Sequence, residues 1–207
     1  MKIILNNIGK KFNTEWIFRG VSFTFEEGHT TAILGRNGSG KSTLLQMVAG
    51  NIHATSGEIT YTHNNQTIPD PEIFRLLSLV APYQELIEEF DLHEMLTFHF
   101  SFKRMLPGFT MNRINDLLAF GETGHKPIRQ FSSGMKQRVK LVAAILSNVP
   151  LLLLDEPTMN LDKTGIDWYL NLMNDHAKNR TVIICSNLHQ TESAFADARL
   201  SIEDYKK

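Results

Sequence analysis

Short apolar runs and alternating apolar and polar positions fill the first third of the chain. Val21, Phe23 and Phe25 alternate with Ser22 and Thr24, which is the two-residue period of a half-buried strand. The pattern changes after this region and predicts a helix over Lys41–Ala49 that ends at Gly50. The predicted strands of this third are Ile3–Leu5, Val21–Phe25, Thr30–Leu34 and Glu58–Tyr61.

The middle third has helical spacing instead. Leucine, phenylalanine, methionine and charged residues predict helices over His93–Arg104 and Met111–Phe120, which Pro107-Gly108 separates. We interpret residues 86–130, approximately, as a helical lobe inserted into a single domain whose α/β core consists of residues 1–85 and 130–207.

Strands and helices alternate again in the last third. A strand is predicted at Leu76–Val80, before the lobe, and a helix follows Gly134. Apolar strands alternating with helices predict a mostly parallel sheet that is covered on both faces. The remaining predicted elements are strand Leu151–Leu154, helix Lys163–Ala177, strand Thr181–Cys185, a short helix and strand Arg199–Glu203.

Composition narrows the class of protein further. The 207 residues suit one domain, and 42% of them are hydrophobic, which excludes a disordered chain. The 21 basic and 22 acidic residues give a net charge of −1, so we expect no nucleic-acid partner. Cys185 is the single cysteine, which excludes an internal disulfide. With no signal peptide and no apolar run long enough to span a bilayer, the sequence predicts a soluble, cytoplasmic protein.

A glycine-rich loop joins the strand at Thr30–Leu34 to the following helix. Its sequence, Gly35-Arg36-Asn37-Gly38-Ser39-Gly40-Lys41-Ser42-Thr43, matches a pattern whose backbone N–H groups cradle phosphate at a helix N-terminus. We expect Lys41 to reach the β- and γ-phosphates of a nucleotide and Ser42 to ligate Mg²⁺. A glycine-rich turn with an ordinary surface lysine is the simpler alternative.

A second carboxylate source follows the leucine run. Leu151–Leu154 would deliver Asp155 to the carboxyl end of a buried strand, where open α/β sheets bind ligands. Asp155 would hold Mg²⁺, directly or through water, and Glu156 would orient or deprotonate an attacking water. Without the glycine-rich loop upstream, the same residues would be interpreted as a strand that ends in an acidic turn before Pro157.

A third motif opens the helix after Gly134. The segment Phe131-Ser132-Ser133-Gly134-Met135 is a loose match to the Leu-Ser-Gly-Gly-Gln signature, with Ser132 and Gly134 intact. Together with the loop and the Asp-Glu pair, in this order, it resembles the ABC (ATP-binding cassette) ATPases over essentially the whole chain. The resemblance implies an α/β fold: a P-loop NTPase-type, mostly parallel core with an N-terminal antiparallel β subdomain and an inserted helical lobe. A plain serine N-cap is the alternative reading of Ser132.

The resemblance assigns four further positions. Gln84 is similar to the family's glutamine that contacts Mg²⁺ or water. Phe12 is similar to the aromatic residue that stacks on adenine; the alternatives are that Phe12 packs in the core, or that Trp16 stacks on the base instead. Asn160-Leu161-Asp162 resembles the loop that crosses the family's dimer interface. Asn187 stands where the family usually carries histidine; it can still donate a hydrogen bond to a γ-phosphate oxygen, and His189 is the other candidate.

The family resemblance also implies partners. ATP bound at Lys41 and Asp155 of one copy would be closed by Ser132, Ser133 and Gly134 of a second copy, arranged head to tail. A separate membrane permease would hold the protein at the cytoplasmic face of the membrane, with residues near Leu86–Arg104 as its docking region, and export is favoured over import. The alternatives are a soluble, non-transport ABC ATPase and a nucleotide-sensing subunit with weak hydrolysis.

Overall fold

The computed structural model describes residues 1–187 and 196–206, in two compact units. The first comprises Met1–Leu79, Pro150–Glu156 and Asn179–Lys207, and the second Val80–Val149 and Pro157–Lys178. The described strands are β1 Lys2–Phe12, β2 Glu15–Phe25, β3 Thr30–Leu34, β4 Ser56–His63, β5 Gln66–Ile68, β6 Leu77–Val80, β7 Leu151–Asp155, β8 Thr181–Ser186 and β9 Ala198–Ser201. The described α-helices are α1 Lys41–Val48, α2 Leu92–Phe102, α3 Met111–Leu118, α4 Ser133–Ile145 and α5 Lys163–His176.

The first unit contains an antiparallel sheet in the order β2-β1-β4-β5. Its strand β1 has 11 residues, whereas only three were predicted. The prediction was too short because a bulge interrupts the alternation of apolar and polar positions. Leu5 and Ile8 are three residues apart and both are buried, which a regular strand does not allow. The register shifts between them, with Asn7 at φ +52°, so that both side chains reach the same core.

The same unit contains a five-stranded sheet in the order β6-β7-β8-β3-β9. Strand β3 pairs in parallel with β8 and β9, and β8 pairs in parallel with β7. Every residue of β7 and β8 is buried, as expected for central strands covered on both faces. The predicted fold class is confirmed by this combination of a parallel core and an N-terminal antiparallel sheet.

The second unit is helical, and its helices begin at recognisable caps. Asp91 and Glu94 form a reciprocal capping box at the start of α2. The Thr110 hydroxyl accepts from the Arg113 N–H at the start of α3. This unit is larger than the predicted lobe, because it also contains α4 and α5.

The end of the chain differs from the prediction. Strand β9 ends at Ser201, two residues before the predicted end at Glu203, and the chain then turns as a 3₁₀-helix over Ile202–Tyr205. Ile202 is fully buried in the core of the first unit. Its apolar side chain was the reason for extending the predicted strand past Ser201. The predicted short helix after Cys185 falls largely on residues 188–195 and, with His189, lies outside the described residues.

Candidate functional site

The glycine-rich loop between β3 and α1 forms an open cavity at the start of α1. Residues Asn37 to Thr43 line it together with Ile17 and Glu156, and its volume is about 230 Å³. Arg36, Asn37 and Gly38 are exposed at the tip of the loop, whereas Ser39 and Lys41 are buried. Because the N-cap of α1 is Gly40, no side chain of that residue occupies the N–H groups of the first turn. A helix end of this kind favours an anion.

Glycine is required at position 40 by two independent features. Its φ of +102° lies in a region that side chains rarely adopt, and an added Cβ would come within 2.7 Å of Cγ2 of Ile17. The loop therefore passes directly over β2. Sequence reasoning missed Ile17, which lies in the apolar run Trp16-Ile17-Phe18 and carries no other signal.

Lys41 lies in a closed network of oxygen acceptors. Its ammonium donates to the Gly35 carbonyl at 2.8 Å, the Arg36 carbonyl at 3.1 Å and the Asn187 side-chain oxygen at 2.5 Å. The Lys41 side chain is buried, so these three acceptors replace the water that the ammonium gives up. The charge is thus held inside the loop, at the place where a phosphate would be bound.

Asn187 connects Lys41 to Glu156. The asparagine nitrogen donates to Oε1 of Glu156 at 2.6 Å, while its oxygen accepts from Lys41. Sheet order explains this position, because β8 lies between β7 and β3 and Asn187 directly follows β8. The structure therefore brings Lys41, Glu156 and Asn187 together, as one hydrogen-bonded row from cation to carboxylate.

Glu156 occupies a restrained backbone position. Its φ is +48°, which is uncommon for a residue with a side chain, and its N–H donates to the Cys185 carbonyl at 3.1 Å. Left-handed backbone of this kind costs about 1–3 kcal/mol and is concentrated at functional sites. The turn points the Glu156 side chain to the loop cavity, while Asp155 before it stays only 2% exposed at the end of β7.

The first unit offers donors of the type that Mg²⁺ prefers. Ser42 supplies a hydroxyl at the start of α1, and Asp155 supplies a buried carboxylate at the end of β7. Hard oxygen ligands of this kind, completed by water and phosphate oxygens, fit a magnesium site. Among the described residues, no group of three or more histidine, cysteine, aspartate or glutamate side chains could hold a metal ion.

The two aromatic candidates for base stacking differ in how much of the ring is available. The Trp16 ring centroid lies 4.0 Å from the Arg19 guanidinium and 5.6 Å from the Lys11 ammonium. Phe12 is 48% exposed, and the Lys10 ammonium lies 5.0 Å from its ring centroid. This geometry favours Phe12 over Trp16, and the stacking role of Phe12 stays a prediction.

The second unit contains the signature segment at the start of α4. The Ser132 hydroxyl accepts from the Met135 N–H at 3.2 Å, so this serine is the N-cap of the helix. Ser133 is exposed and Gly134 half-buried beside it. A cavity of about 460 Å³ opens over these residues and is bounded on its other side by Asn160–Asp162.

The signature and the Asn160-Leu161-Asp162 loop lie against each other. A Cβ on Gly134 would come within 3.0 Å of the Asn160 carbonyl, so the contact depends on glycine. The Gln137 side chain donates to the Pro157 carbonyl at 2.8 Å, which fixes the start of the same loop. Asp162 caps α5 by accepting from the Gly165 N–H at 2.7 Å. Two of the predicted binding residues, Ser132 and Asp162, thus have capping roles within this unit.

Gln84 belongs to the second unit as well. It follows β6 in a tight turn, in which its side-chain oxygen accepts from the Ala81 N–H at 3.0 Å and its own N–H donates to the Ala81 carbonyl at 3.1 Å. The side-chain nitrogen is not used by this turn. Its predicted contact with Mg²⁺ or water stays a prediction.

Comparison with protein families decides which family these motifs represent. The profile of the family described as "ABC transporter" matches residues 18–159, which is more than half of the chain and includes the loop, the signature and the Asp-Glu pair. The chain belongs to the ABC transporter family. The resemblance stated from the motifs is thereby confirmed, and the chain is an ATP-binding cassette of this family.

Individual relatives agree with this assignment. An uncharacterised ABC transporter ATP-binding protein of Bacillus subtilis, YxlF, is 32% identical over 192 residues, covering 91% of this cassette and 63% of YxlF. The cytochrome c biogenesis ATP-binding export protein CcmA of Mesorhizobium japonicum is 28% identical over 186 residues, which are 90% of this cassette and 91% of CcmA. A solved structure described as a dimeric bacterial ABC transporter cassette has a TM-score of 0.78 at 24% identity, covering 97% of this cassette and 95% of that chain, and supports the fold.

The chain covers different shares of the two relatives, 91% of CcmA but less of YxlF. It spans 63% of YxlF, slightly less than two thirds. Within residues 1–187 and 196–206, no helix is both long and apolar enough to cross a bilayer.

Proposed function

We propose that this cassette binds and hydrolyses ATP and powers a separate membrane permease, in export rather than import. The observation that carries the proposal is the hydrogen-bonded row from Lys41 through Asn187 to Glu156 beside the cavity of the glycine-rich loop. It supports the proposal, because an ammonium suited to binding phosphate and a candidate general base both lie at one cavity, and phosphoryl transfer to water requires both.

The residues of the first unit divide the work. The backbone N–H groups of residues Asn37 to Thr43 and the Lys41 ammonium would bind the triphosphate tail. Ser42 and Asp155 would hold Mg²⁺, which would neutralise charge on the β- and γ-phosphate oxygens when it is bound. Gln84 is proposed, from the family resemblance, as a further contact of Mg²⁺ or of a water. Glu156 would accept a proton from the attacking water or orient it, and Asn187 would donate to a γ-phosphate oxygen.

A second copy of the cassette would complete the site. Ser132, Ser133 and Gly134 lie at a helix N-terminus that opens on a cavity, so they offer a second anion-binding surface. In a head-to-tail dimer this surface would close over the ATP of the partner, with Asp162 at the interface. Loss of the γ-phosphate would remove the bridge between the two surfaces and open the dimer.

The permease would dock on the second unit, at an exposed aromatic row on and just before α2. Phe98 is 44% exposed and Phe102 is 73% exposed, and their rings pack edge to face at 5.1 Å. Phe90 continues the row at 5.9 Å from Phe98. By contrast Leu92 and Leu96 of the same helix are buried and pack in the core of this unit. The export protein CcmA among the relatives supports export.

An ATPase assay with purified cassette tests the first part. We expect Mg²⁺-dependent release of phosphate from ATP that Glu156→Gln abolishes, whereas Glu122→Gln, which changes an exposed carboxylate of the second unit, leaves it intact. Co-purification of a multi-span membrane protein with a tagged cassette, reduced by Phe98→Asp together with Phe102→Asp, tests the second part. A cassette that hydrolyses ATP but associates with no membrane protein would favour the soluble, non-transport alternative.

A second candidate function is a nucleotide-sensing subunit with weak hydrolysis. The engagement of Asn187 with both Lys41 and Glu156 favours it, because this amide has to rearrange before it can donate to a phosphate. Tight MgATP binding with no measurable turnover in the presence of the membrane partner would select this candidate.

A further inference from the structure

The turn that follows β9 touches the outside of the phosphate-binding loop at three points. Oε1 of Glu203 accepts from the Arg36 N–H at 2.8 Å, and the Lys206 ammonium donates to the Gly38 carbonyl at 3.1 Å. Ile202 is fully buried, and its Cγ2 lies 2.9 Å from the place that a Cβ on Gly35 would take. These residues, Ile202, Glu203 and Lys206, are called the clasp below. The family resemblance and the loop motif assign no role to them.

The peptide group between Gly35 and Arg36 connects the clasp to Lys41. In a trans peptide the C=O and N–H bonds point in opposite directions. The Gly35 carbonyl accepts from the Lys41 ammonium at 2.8 Å, and on the other side of the same plane the Arg36 N–H donates to Glu203 at 2.8 Å. Glu203 and Lys41 therefore hold one peptide plane from its two edges.

Charge strengthens this arrangement. A hydrogen bond to a carboxylate is about twice as strong as a neutral one. A negative acceptor at the N–H end also polarises the peptide, so its carbonyl becomes a better acceptor for an ammonium. Lys206 adds a second charged hydrogen bond at Gly38, whose φ is +73°. The first and last residues of the exposed tip, Arg36 and Gly38, are thus both hydrogen-bonded to the turn after β9.

We propose that Glu203 and Lys206 are positioning residues of the phosphate-binding loop: the clasp orients the Gly35–Arg36 peptide and thereby sets where Lys41 presents its ammonium to a phosphate. The inference deepens the proposed function and rests on it, since it concerns the same site. It predicts that the clasp changes MgATP affinity and KM and leaves kcat unchanged, because none of its side chains reaches the reacting atoms.

Glu203→Ala with Asp204→Ala as its matched control tests the first contact. Asp204 is an exposed carboxylate of the same turn and, within the described residues, has no hydrogen bond to the loop. Removing a charged hydrogen bond predicts a rise of about fivefold in the Kd and KM of MgATP for Glu203→Ala, at constant kcat. Glu203→Gln keeps an acceptor and should bind MgATP within about twofold of the unchanged cassette, as Asp204→Ala should.

Amide hydrogen exchange gives a readout that needs no nucleotide. The Arg36 N–H should exchange about tenfold faster in Glu203→Ala than in Asp204→Ala, because it loses its acceptor. Lys206→Met, compared with the exposed control Lys178→Met, tests the second contact and should raise the Kd of MgATP about threefold.

Equal Arg36 exchange and equal MgATP affinity in Glu203→Ala and Asp204→Ala would overturn the role of Glu203, and equal affinity in the two lysine variants would overturn that of Lys206. Reduced kcat at unchanged KM would also contradict the proposal. If the unchanged cassette bound no MgATP, the proposed function would fail, while the exchange of Arg36 would still decide whether the clasp holds the loop.

Discussion

The Asn187 side-chain oxygen accepts a hydrogen bond of 2.5 Å from the Lys41 ammonium, across 146 residues of sequence. Its nitrogen is committed to Glu156 at 2.6 Å. Asn187, which the family resemblance aligns with a histidine, therefore contacts both a cation and a carboxylate. It holds the cation that would bind phosphate and the carboxylate that would activate water in one row.

Asn187→His is expected to raise the steady-state ATPase rate by roughly fivefold, because a protonated imidazole donates a charge-assisted hydrogen bond to the γ-phosphate, which is about 1 kcal/mol stronger than a neutral one. Phosphate release at saturating MgATP measures the change. Asn187→Ala serves as the comparison and should fall below the unchanged cassette. An unchanged or lower rate for Asn187→His would contradict this account of the asparagine.

Glu156→Gln is expected to lower kcat by about 100-fold or more, because the amide cannot accept a proton from water. The glutamine oxygen can still accept from the Asn187 nitrogen, so the MgATP affinity should stay within about threefold. Light scattering should then show a dimer in MgATP and a monomer in MgADP. A monomer under both conditions would argue against the head-to-tail scheme.

Ser132 allows its capping role to be separated from its expected role toward phosphate. Ser132→Ala should lower the free energy of unfolding by about 1 kcal/mol, because the Met135 N–H loses its acceptor. Ser132→Asp restores an N-cap, so stability should return, but its negative charge should prevent MgATP-driven dimerisation of Glu156→Gln. Denaturant unfolding and light scattering measure the two effects. If the aspartate variant dimerises normally, Ser132 is a cap alone.

His99 predicts a loss of stability in mild acid. Burial lowers the pKa of His99 below its ordinary value of 6.5, and its Nε2 lies 2.9 Å from the Ser147 hydroxyl. The unfolded chain therefore binds the proton more readily. The contribution of neutral His99 is complete above pH 6.5 and is lost as the pH falls from 6.5 through the lowered pKa.

Denaturant titrations at a series of pH values between 8 and 5, approximately, test this with His99→Gln as the comparison. The free energy of unfolding should fall less steeply below neutral pH in the glutamine variant than in the unchanged cassette. Identical pH profiles for the two proteins would show that His99 does not couple proton uptake to unfolding.

Sequence reasoning succeeded where the signal was local. The loop from Gly35 to Thr43 and the strand at Leu151–Leu154 are contiguous segments whose residue types dictate turn, helix start and burial, and the structure agrees with both. It failed for β1, where a bulge breaks the two-residue period between Leu5 and Ile8. Periodicity assumes a regular register, so only the part of β1 before the bulge, Ile3–Leu5, was predicted as a strand.

Contacts between distant segments lay beyond the sequence. The position of Asn187 could be marked as unusual, but its bonds to Lys41 and Glu156 depend on β8 lying between β3 and β7. The bond between Arg36 and Glu203 spans 167 residues, and Glu203 looks like any acidic surface residue when read along the chain. Such pairs follow from sheet order, which strand patterns alone do not specify.

The central claim is that the glycine-rich loop and Lys41 bind the triphosphate of ATP. Calorimetric titration of the cassette with MgATP tests this claim most directly. We expect saturable binding well below millimolar concentration, weakened at least about tenfold by Lys41→Met and unaffected by Lys178→Met. Absence of binding at millimolar MgATP, or equal affinity in the two lysine variants, would contradict the account.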